Sequence, residues 1–186
     1  MAIIRKIQGW GNAPTIEATV HETEFSGEVG KIIRLNNNVI PRGNGRSYGD
    51  ASLNEMVYSS LKMDKILNFD EVAGVLECES GILLSDILDF IIPKGYFLPV
   101  TPGTKFITLG GAIAADVHGK NHHLNGCFSN YLVSFQLVNE EGQTLLCSRN
   151  QNEELFWNTI GGMGRTGIIV SASFQLKKIT SSYIKF

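Results

Sequence analysis

The sequence predicts an α+β fold, in which strands and helices follow one another without a regular order. Short alternating apolar runs typical of strands are mixed with helical apolar patterns, and they lack the steady strand–helix–strand rhythm of a doubly wound sheet. Ten of the 20 glycines lie in three loops, each located where one element passes into the next. A content of 43% hydrophobic and 18% charged residues is typical of a folded globular chain.

The first predicted elements lie on either side of a long glycine-rich loop. Residues 26–35 predict a helix with one apolar face, and Ser26 can cap its start. Residues 36–38, three asparagines, end this helix, and residues 39–40 predict a short buried strand. The first loop, residues 41–50, follows. Beyond it, strands separated by polar turns are predicted over residues 57–63, 66–69 and 74–79.

The second half of the chain contains the other two loops. An amphipathic helix starts near Leu83 and is closed by Pro93 and Gly95. A strand is predicted over 97–100, followed by the second loop over 101–111 and a short helix over 112–115. A hairpin of strands 132–138 and 144–148 comes next. The last predicted elements are a helix over 153–160, the third loop over 161–167 and a long strand over 168–176.

Composition excludes several classes of function. The net charge is −2 with scattered Lys and Arg, so no basic face is available for nucleic acid. No run approaches the roughly 20 apolar residues of a membrane span, and residues 1–10 lack a signal peptide's apolar stretch. The three cysteines have the spacing of neither a zinc site nor a redox pair, and we expect reduced, mostly buried thiols in a cytoplasmic protein.

The first loop is the strongest candidate for binding an anion. It consists of Pro41, Arg42, Gly43, Asn44, Gly45, Arg46, Ser47, Tyr48, Gly49 and Asp50. It matches neither the phosphate loop of nucleotide hydrolases nor the dinucleotide fingerprint. Its small residues offer backbone N–H groups that can form an anion-binding concavity, with two arginines to neutralise charge. A simple cluster of surface turns is the alternative.

The other two loops are interpreted by their context. Gly110 and Gly111 open a short apolar helix, which predicts free amides facing an anion; close packing of two elements is the alternative. In the third loop, residues 162–167 read Gly-x-Gly-x-x-Gly, but the loop follows a helix and enters a strand. That order is the reverse of a dinucleotide-binding fold, so an NAD site is excluded.

Three histidines fall within six residues. His118 and His122 would share a face on a helix, but Gly119 and Asn121 disfavour a helix and no third metal ligand is evident. We therefore expect no metal. The remaining interpretations are a polar lining beside a ligand ring, and a structural or solvated cluster, which fits His122 and His123 better than His118.

Taken together, the three loops and the stretch Ala-Ala-Asp-Val-His-Gly-Lys-Asn-His-His over residues 114–123 resemble the FAD-binding domain of the vanillyl-alcohol oxidase / p-cresol methylhydroxylase superfamily. Within it they are most similar to FAD-linked oxidases of the decaprenylphosphoryl-β-D-ribose 2′-oxidase type. The likeness covers about residues 10–176. It implies a small α+β lobe over residues 1–62 and a larger one over residues 63–186, with FAD between them and a further substrate domain outside this sequence.

The resemblance also implies the residues that bind FAD. The first loop would wrap the diphosphate, the second loop would complete the diphosphate and ribityl contacts, and a segment ending at His118 would pass beside the isoalloxazine. The residues assigned in this way are Pro41, Arg42, Gly43, Asn44, Gly45, Arg46, Ser47, Tyr48, Gly49, Asp50, Ala51, Gly103, Thr104, Thr108, Leu109, Gly110, Gly111, Ala115, Asp116, Val117, His118 and Ile169. His118 is the candidate catalytic residue, and Ile169 would meet the adenine.

One departure from the family bears on how the cofactor is attached. Many members link FAD covalently to a histidine in an Arg-Gly-x-x-His-Ser loop, and Arg46 stands at that position here. The prediction is therefore non-covalent FAD.

The resemblance implies an oxidoreductase that transfers a hydride from a CH–OH group to FAD, acting on a sugar or polyprenyl-linked sugar. Residues 1–186 alone are expected to be inactive. The alternatives are an aldonolactone oxidase of the same superfamily and a non-catalytic flavin-binding module.

Overall fold

The computed structural model describes residues 2–36 and 38–183 and contains two main β-sheets with short helices packed against them. The strands are β1 (Ala2–Gln8), β2 (Thr15–Glu22), β3 (Ile40–Arg42), β4 (Met56–Ser59), β5 (Ile66–Asp70), β6 (Val75–Glu79), β7 (Tyr96–Phe97), β8 (Leu132–Val138), β9 (Thr144–Ser148), β10 (Ile168–Gln175) and β11 (Lys177–Lys178). The helices are α1 (Ser26–Leu35), α2 (Leu84–Ile91), α3 (Leu109–Ala114), α4 (His122–Asn125) and α5 (Glu153–Thr159). The mixture of sheets and helices confirms the α+β class. Across the described residues, no helix has the length and apolar character needed to cross a bilayer.

The first sheet has the strand order β1-β2-β4-β3. β1 runs antiparallel to β2, whereas β4 runs parallel to both β2 and β3. The sequence pattern predicts neither β1 nor β2. β1 is an edge strand in which Ile7 is the single buried residue, so it shows no apolar alternation.

The second sheet has the order β5-β6-β10-β8-β9, and all its neighbouring strands are antiparallel. β10 is its centre, and six of its eight residues are buried. The predicted hairpin of β8 and β9 is confirmed with the same bounds. The main core packs α2, α3 and α5 against this sheet around large side chains such as Phe135, Phe156 and Phe174.

Helix α1 has the predicted bounds but not the predicted cap. Ser26 is its first residue, and Phe25 occupies the cap position without a side-chain hydrogen bond. Instead, the Thr23 hydroxyl accepts from the Phe25 N–H (3.1 Å) and donates to Glu28 (2.6 Å). At the other end, the Asn36 amide donates to the Ile32 carbonyl at 2.8 Å. Asn37 of the predicted stop lies outside the described residues.

Two strands and one helix differ in extent from the prediction. β4 ends at Ser59 because the Met63 N–H donates to the Ser60 carbonyl (2.8 Å) and forms a turn. β7 covers Tyr96–Phe97 only, after a turn in which Gly95 has a φ of 81°. α3 begins three residues earlier than predicted, because the Thr108 hydroxyl accepts from the Gly111 N–H and caps the helix there.

The expectation that the cysteines are mostly buried is confirmed. Cys78, Cys127 and Cys147 are free thiols, and Cys78 and Cys147 are buried. Burial, together with the neighbouring Glu77 carboxylate, raises the pKa of Cys78 to about 12, and burial raises the pKa of Cys147. Both thiols therefore stay protonated at neutral pH and act as small apolar core residues.

The two sheets meet through a second, smaller core. It brings α1 and β4 of the first sheet against the ends of β8 and β10, and consists of Val29, Tyr58, Met63, Val138, Ile168 and Val170. Beside this core, the carboxyl ends of β3, β4 and β6 and the amino end of β10 converge. The glycine-rich loops adjoin that point.

Candidate functional site

A cleft lies where the three loops meet, and it has a narrow and a wide part. The narrow part has a volume of about 70 Å³. Its walls include Pro41, Arg42, Gly43, Ser47, Ala51, Ser52, Ser60, Ser80, Gly110, Gly111, Ala114, Ala115, Thr159, Met163, Gly164, Gly167, Ile168 and Ile169. The wide part has a volume of about 690 Å³, which is typical of small-molecule sites. It adds Trp10, Asn44, Gly45, Arg46, Tyr48, Pro102, Gly103, Thr104, Phe106, Ile107, Thr108 and Val117.

Most residues of the first loop line this cleft. Among the described residues, no partner accepts a hydrogen bond from any backbone N–H of residues 43–51. Gly45 and Gly49 take φ values of 64° and 60°, which bend the chain as only glycine does easily. A segment with so many free donors at a cleft is suited to bind an anion.

Arg42 holds the first loop in place. Its guanidinium donates to the carbonyl and hydroxyl oxygens of Ser52 (3.1 Å each) and to the Gln8 carbonyl (2.7 Å). Burial lowers the pKa of Arg42 from its ordinary value. Arg46, the second arginine of the loop, is exposed at the wide part of the cleft. Its guanidinium carbon, Cζ, lies 5.1 Å from the centre of the Trp10 ring. Arg46 is thus the arginine with donors available for a ligand.

Helix α3 does not offer the free amides that the sequence predicts. The Leu109 N–H donates to Ile82 (2.9 Å) and the Gly110 N–H donates to the Ser80 carbonyl (2.8 Å). The Gly111 N–H is taken by the Thr108 cap at 3.1 Å. That prediction is wrong, because carbonyl groups in the turn that follows β6, together with the helix cap, satisfy these N–H groups.

Close packing explains two of the cleft glycines. A Cβ on Gly110 would lie 3.0 Å from the Ser80 Cβ, and a Cβ on Gly43 would collide with the Thr108 hydroxyl. The packing alternative therefore holds for Gly110. The glycine at 43 allows the first loop to approach the start of α3.

The three loops are fastened to one another. The Asn44 side chain donates to the Phe106 carbonyl at 2.9 Å, which joins the first loop to the second. The third loop docks on the end of α3, since the Met163 N–H donates to the Ala114 carbonyl at 2.8 Å. Gly164, with a φ of 77°, abuts Pro41. The third loop follows α5 and enters β10, which confirms the context that excluded NAD.

The structure brings most of the predicted site residues to this cleft. Five of them do not line it: Gly49, Asp50, Leu109, Asp116 and His118, of which His118 lies at an opening beside it. Leu109 is fully buried in the main core, and the Asp116 carboxylate accepts from the N–H and hydroxyl of Ser129 at 2.9 and 3.0 Å. Gly49 and Asp50 lie exposed in a turn that the Asp50 carbonyl closes with Leu53. Sequence position alone does not reveal these side-chain directions.

His118 lies at a third opening of about 640 Å³, beside the wide part. The two openings share Pro102 and Gly103. His118 is exposed, and its ring centre lies 5.4 Å from that of His122, the first residue of the single-turn helix α4. His122 Nδ1 lies 3.2 Å from the Gly119 carbonyl, which supports its structural interpretation. Within residues 2–36 and 38–183, no three His, Cys, Asp or Glu side chains are grouped as a metal ion requires.

Sequence reasoning missed several hydroxyls on the cleft wall. They belong to Ser52, Ser60, Ser80 and Thr159. Ser60 and Ser80 each follow a strand directly, and no motif marks them. Ser80 is 1% exposed and its hydroxyl has no hydrogen-bond partner among the described residues. A buried hydroxyl without a partner requires an explanation, and a bound ligand is one.

The chemistry of the cleft fits a ligand that combines phosphate with an aromatic ring system. Free amides and the hydroxyl of Ser80 surround the narrow part, where they can donate to phosphate oxygens. Trp10, Tyr48 and Phe106 stand exposed around the wide part, where they offer flat apolar surfaces.

Comparison with known proteins indicates a ligand of the same kind, one with phosphate groups and an aromatic ring system. A family model described as FAD binding domain matches residues 18–148. The chain is 34% identical to decaprenylphosphoryl-β-D-ribose oxidase of Mycolicibacterium smegmatis, covering 96% of this chain and 41% of that protein. It is 30% identical to D-lactate dehydrogenase of Anaerostipes hadrus, covering 91% and 37%. It is 26% identical to L-gulonolactone oxidase of Scyliorhinus torazame, covering 91% and 40%. The chain thus spans about two fifths of the length of these relatives.

Proposed function

The chain belongs to the FAD binding domain family, and on that premise we propose that FAD occupies the cleft between the first loop, α3 and the third loop. The observation that carries the proposal is the first loop: its backbone N–H groups over residues 43–51 have no partner among the described residues, and most of its residues line a cleft with aromatic side chains at its wide end. The first-loop amides hold the diphosphate, with Arg46 nearby to offset its charge.

The shape of the cleft supports one orientation of the cofactor. The narrow part, which ends at Ile168 and Ile169, receives the adenosine end. The wide part receives the isoalloxazine, with Trp10, Phe106 and Val117 around it. Both parts of the cleft are lined by residues from either side of position 62, and residues 1–62 and 63–186 form the two lobes around FAD.

The attachment of FAD is non-covalent. Arg46 stands where a linking histidine would be needed, and a guanidinium group does not form that bond to flavin. Its contact with Trp10 places it at the wide part, where it interacts by charge and stacking.

The whole protein is an oxidoreductase that acts on the CH–OH group of a sugar or polyprenyl-linked sugar. FAD supplies the acceptor for a hydride, and the protein binds and orients the reacting groups. His118 positions the substrate hydroxyl by hydrogen bonding from the opening beside the wide part. The similarity to L-gulonolactone oxidase favours a lactone substrate as the second candidate.

Titration of the purified chain with FAD, followed by flavin absorbance and fluorescence, tests the binding site. We expect saturable binding that ADP competes with. A chain that binds neither FAD nor ADP would contradict the proposed site.

The substrate class is tested with full-length protein, which is mixed with sugar alcohols and with aldonolactones under anaerobic conditions. If one of these two classes of compound bleaches the flavin, that class contains the substrate. If neither class bleaches the flavin, the result favours a non-catalytic flavin-binding module.

A further inference from the structure

Ser80 occupies a fixed position at the innermost wall of the cleft. It follows β6 directly, and its N–H donates to the Val170 carbonyl of β10 at 3.0 Å. Its own carbonyl accepts from the Gly110 N–H of α3 at 2.8 Å. Both sides of its main chain are therefore fixed to neighbouring elements, and the hydroxyl cannot leave the cleft by a shift of the backbone.

The hydroxyl of Ser80 is the one buried side-chain polar atom without a partner in the part of the chain that the structure describes. Leaving such a group unpaired costs stability, because it loses its hydrogen bonds to water on folding. An alanine would fill nearly the same space without that cost. The serine is therefore explained best by a partner that is present when the protein functions.

The position of Ser80 limits what this partner is. Ser80 lines the narrow part of the cleft together with Gly110 and Ile169, and it does not line the wide part with its aromatic side chains. A group in the narrow part reaches it, whereas a ring system seated in the wide part does not.

We propose that the Ser80 hydroxyl donates a hydrogen bond to an oxygen of the adenosine diphosphate half of FAD. This inference rests on the proposed function, and it adds a cofactor-binding residue outside the three glycine-rich loops. Such a contact ties the cofactor to β6 and α3 together, because the same residue is hydrogen-bonded to Gly110.

The test is the variant Ser80→Ala, measured against the wild-type chain with FAD and with ADP. Without ligand, we expect a Tm about 2–4 °C higher, because an unsatisfied hydroxyl has been removed. We expect the Kd for FAD and the Kd for ADP to rise about 10-fold or more, the value of a hydrogen bond to a charged group. A purely structural role would not weaken the binding of ADP.

Ser85→Ala is the matched control. Ser85 is also a buried serine, but its hydroxyl donates to the Asp86 carboxylate at 3.1 Å and it lies on α2, away from the cleft. This variant is expected to lower Tm slightly and to leave both dissociation constants unchanged.

Each other outcome overturns the inference. Unchanged affinities for FAD and ADP in Ser80→Ala would show that the hydroxyl is only a buried polar group. Weaker FAD binding with unchanged ADP binding would remove it from the diphosphate half. Failure of the proposed function itself is distinct, because it appears in the wild-type chain as an absence of FAD binding.

Discussion

The glycines on the wall of the cleft differ in what a side chain would meet. At Gly43 and Gly110 a Cβ would press on Thr108 and Ser80, so substitution there disturbs packing as well as any ligand. At Gly103 an added Cβ meets nothing within 4 Å, and the backbone φ is one that any residue adopts. A substitution at Gly103 therefore tests ligand binding without disturbing the packing of the protein.

Replacing Gly103 with alanine should weaken FAD binding while leaving the fold intact. The added methyl group projects from a residue that lines the wide part of the cleft, so it competes with the ligand. We expect the Kd for FAD to rise about 10-fold, equivalent to about 1.4 kcal/mol, with an unchanged free energy of unfolding without ligand. Fluorescence titration and urea denaturation measure the two quantities.

Gly27→Ala is the control, since Gly27 also has open space around it but lies on α1. It should leave FAD affinity unchanged and stabilise the helix by up to about 1 kcal/mol. If Gly103→Ala binds FAD as tightly as the wild type, the second loop does not contact the cofactor.

The two neighbouring histidines should behave differently when replaced. His118 is exposed at the opening that adjoins the wide part, whereas His122 is next to the Gly119 carbonyl at 3.2 Å. We expect His118→Ala to shift the spectrum or reduction potential of bound flavin and His122→Ala to do distinctly less. In the full-length enzyme, His118→Ala should lower kcat more than flavin affinity. A shift in His122→Ala alone would show that the assignment is wrong.

At the scale of elements, the hydroxyl of Thr108 fixes where α3 begins. The Thr108 side chain accepts from the Gly111 N–H, and its loss removes the hydrogen bond that caps the helix. Thr108→Ala should lower the free energy of unfolding by about 1 kcal/mol, as removal of such caps usually does. Thr108→Ser, which keeps the oxygen, should recover most of that loss in the same denaturation experiment. Equal stability of the alanine and serine variants would show that the cap contributes nothing.

Elements with a complete local pattern could be predicted from the sequence. The bounds of α1 follow from its apolar face, and those of β8 and β9 follow from two alternating runs around a polar turn. β1 could not be predicted because its partner, β2, rather than its own composition, makes it a strand.

The same distinction holds for the cleft. The first loop can be recognised in the sequence by its glycines. The role of Ser80 cannot, because it depends on hydrogen bonds to Val170 and Gly110, which are distant in sequence. The resemblance implies Leu109 and Asp116 as ligand contacts because they belong to segments whose other residues line the cleft. In a helix and a tight turn, however, adjacent side chains point in different directions.

At the scale of the whole molecule, non-covalent binding predicts that FAD separates from the polypeptide on denaturation. Holo-protein precipitated with acid should release its yellow colour into the supernatant, because acid unfolds the cleft and the proposed attachment includes no covalent bond. The visible absorbance of flavin in the two fractions measures the partition. Colour retained in the washed precipitate would demonstrate a covalent link.

A second prediction at this scale concerns residues 1–186 alone. They span about two fifths of the length of their relatives, so we expect them to bind FAD without turning over a sugar alcohol. Stopped-flow reduction of the flavin by substrate measures this. Turnover by this segment would show that it contains a complete active site.

The order of strands in the larger sheet also determines the order in which the chain can fold. β5 with β6, and β8 with β9, are local hairpins that can form as soon as each is synthesised. Only β10 joins them, and it leaves the ribosome last of the five. Until then both hairpins present an unpaired edge, and nascent chains paused before residue 168 should depend on chaperones to avoid association.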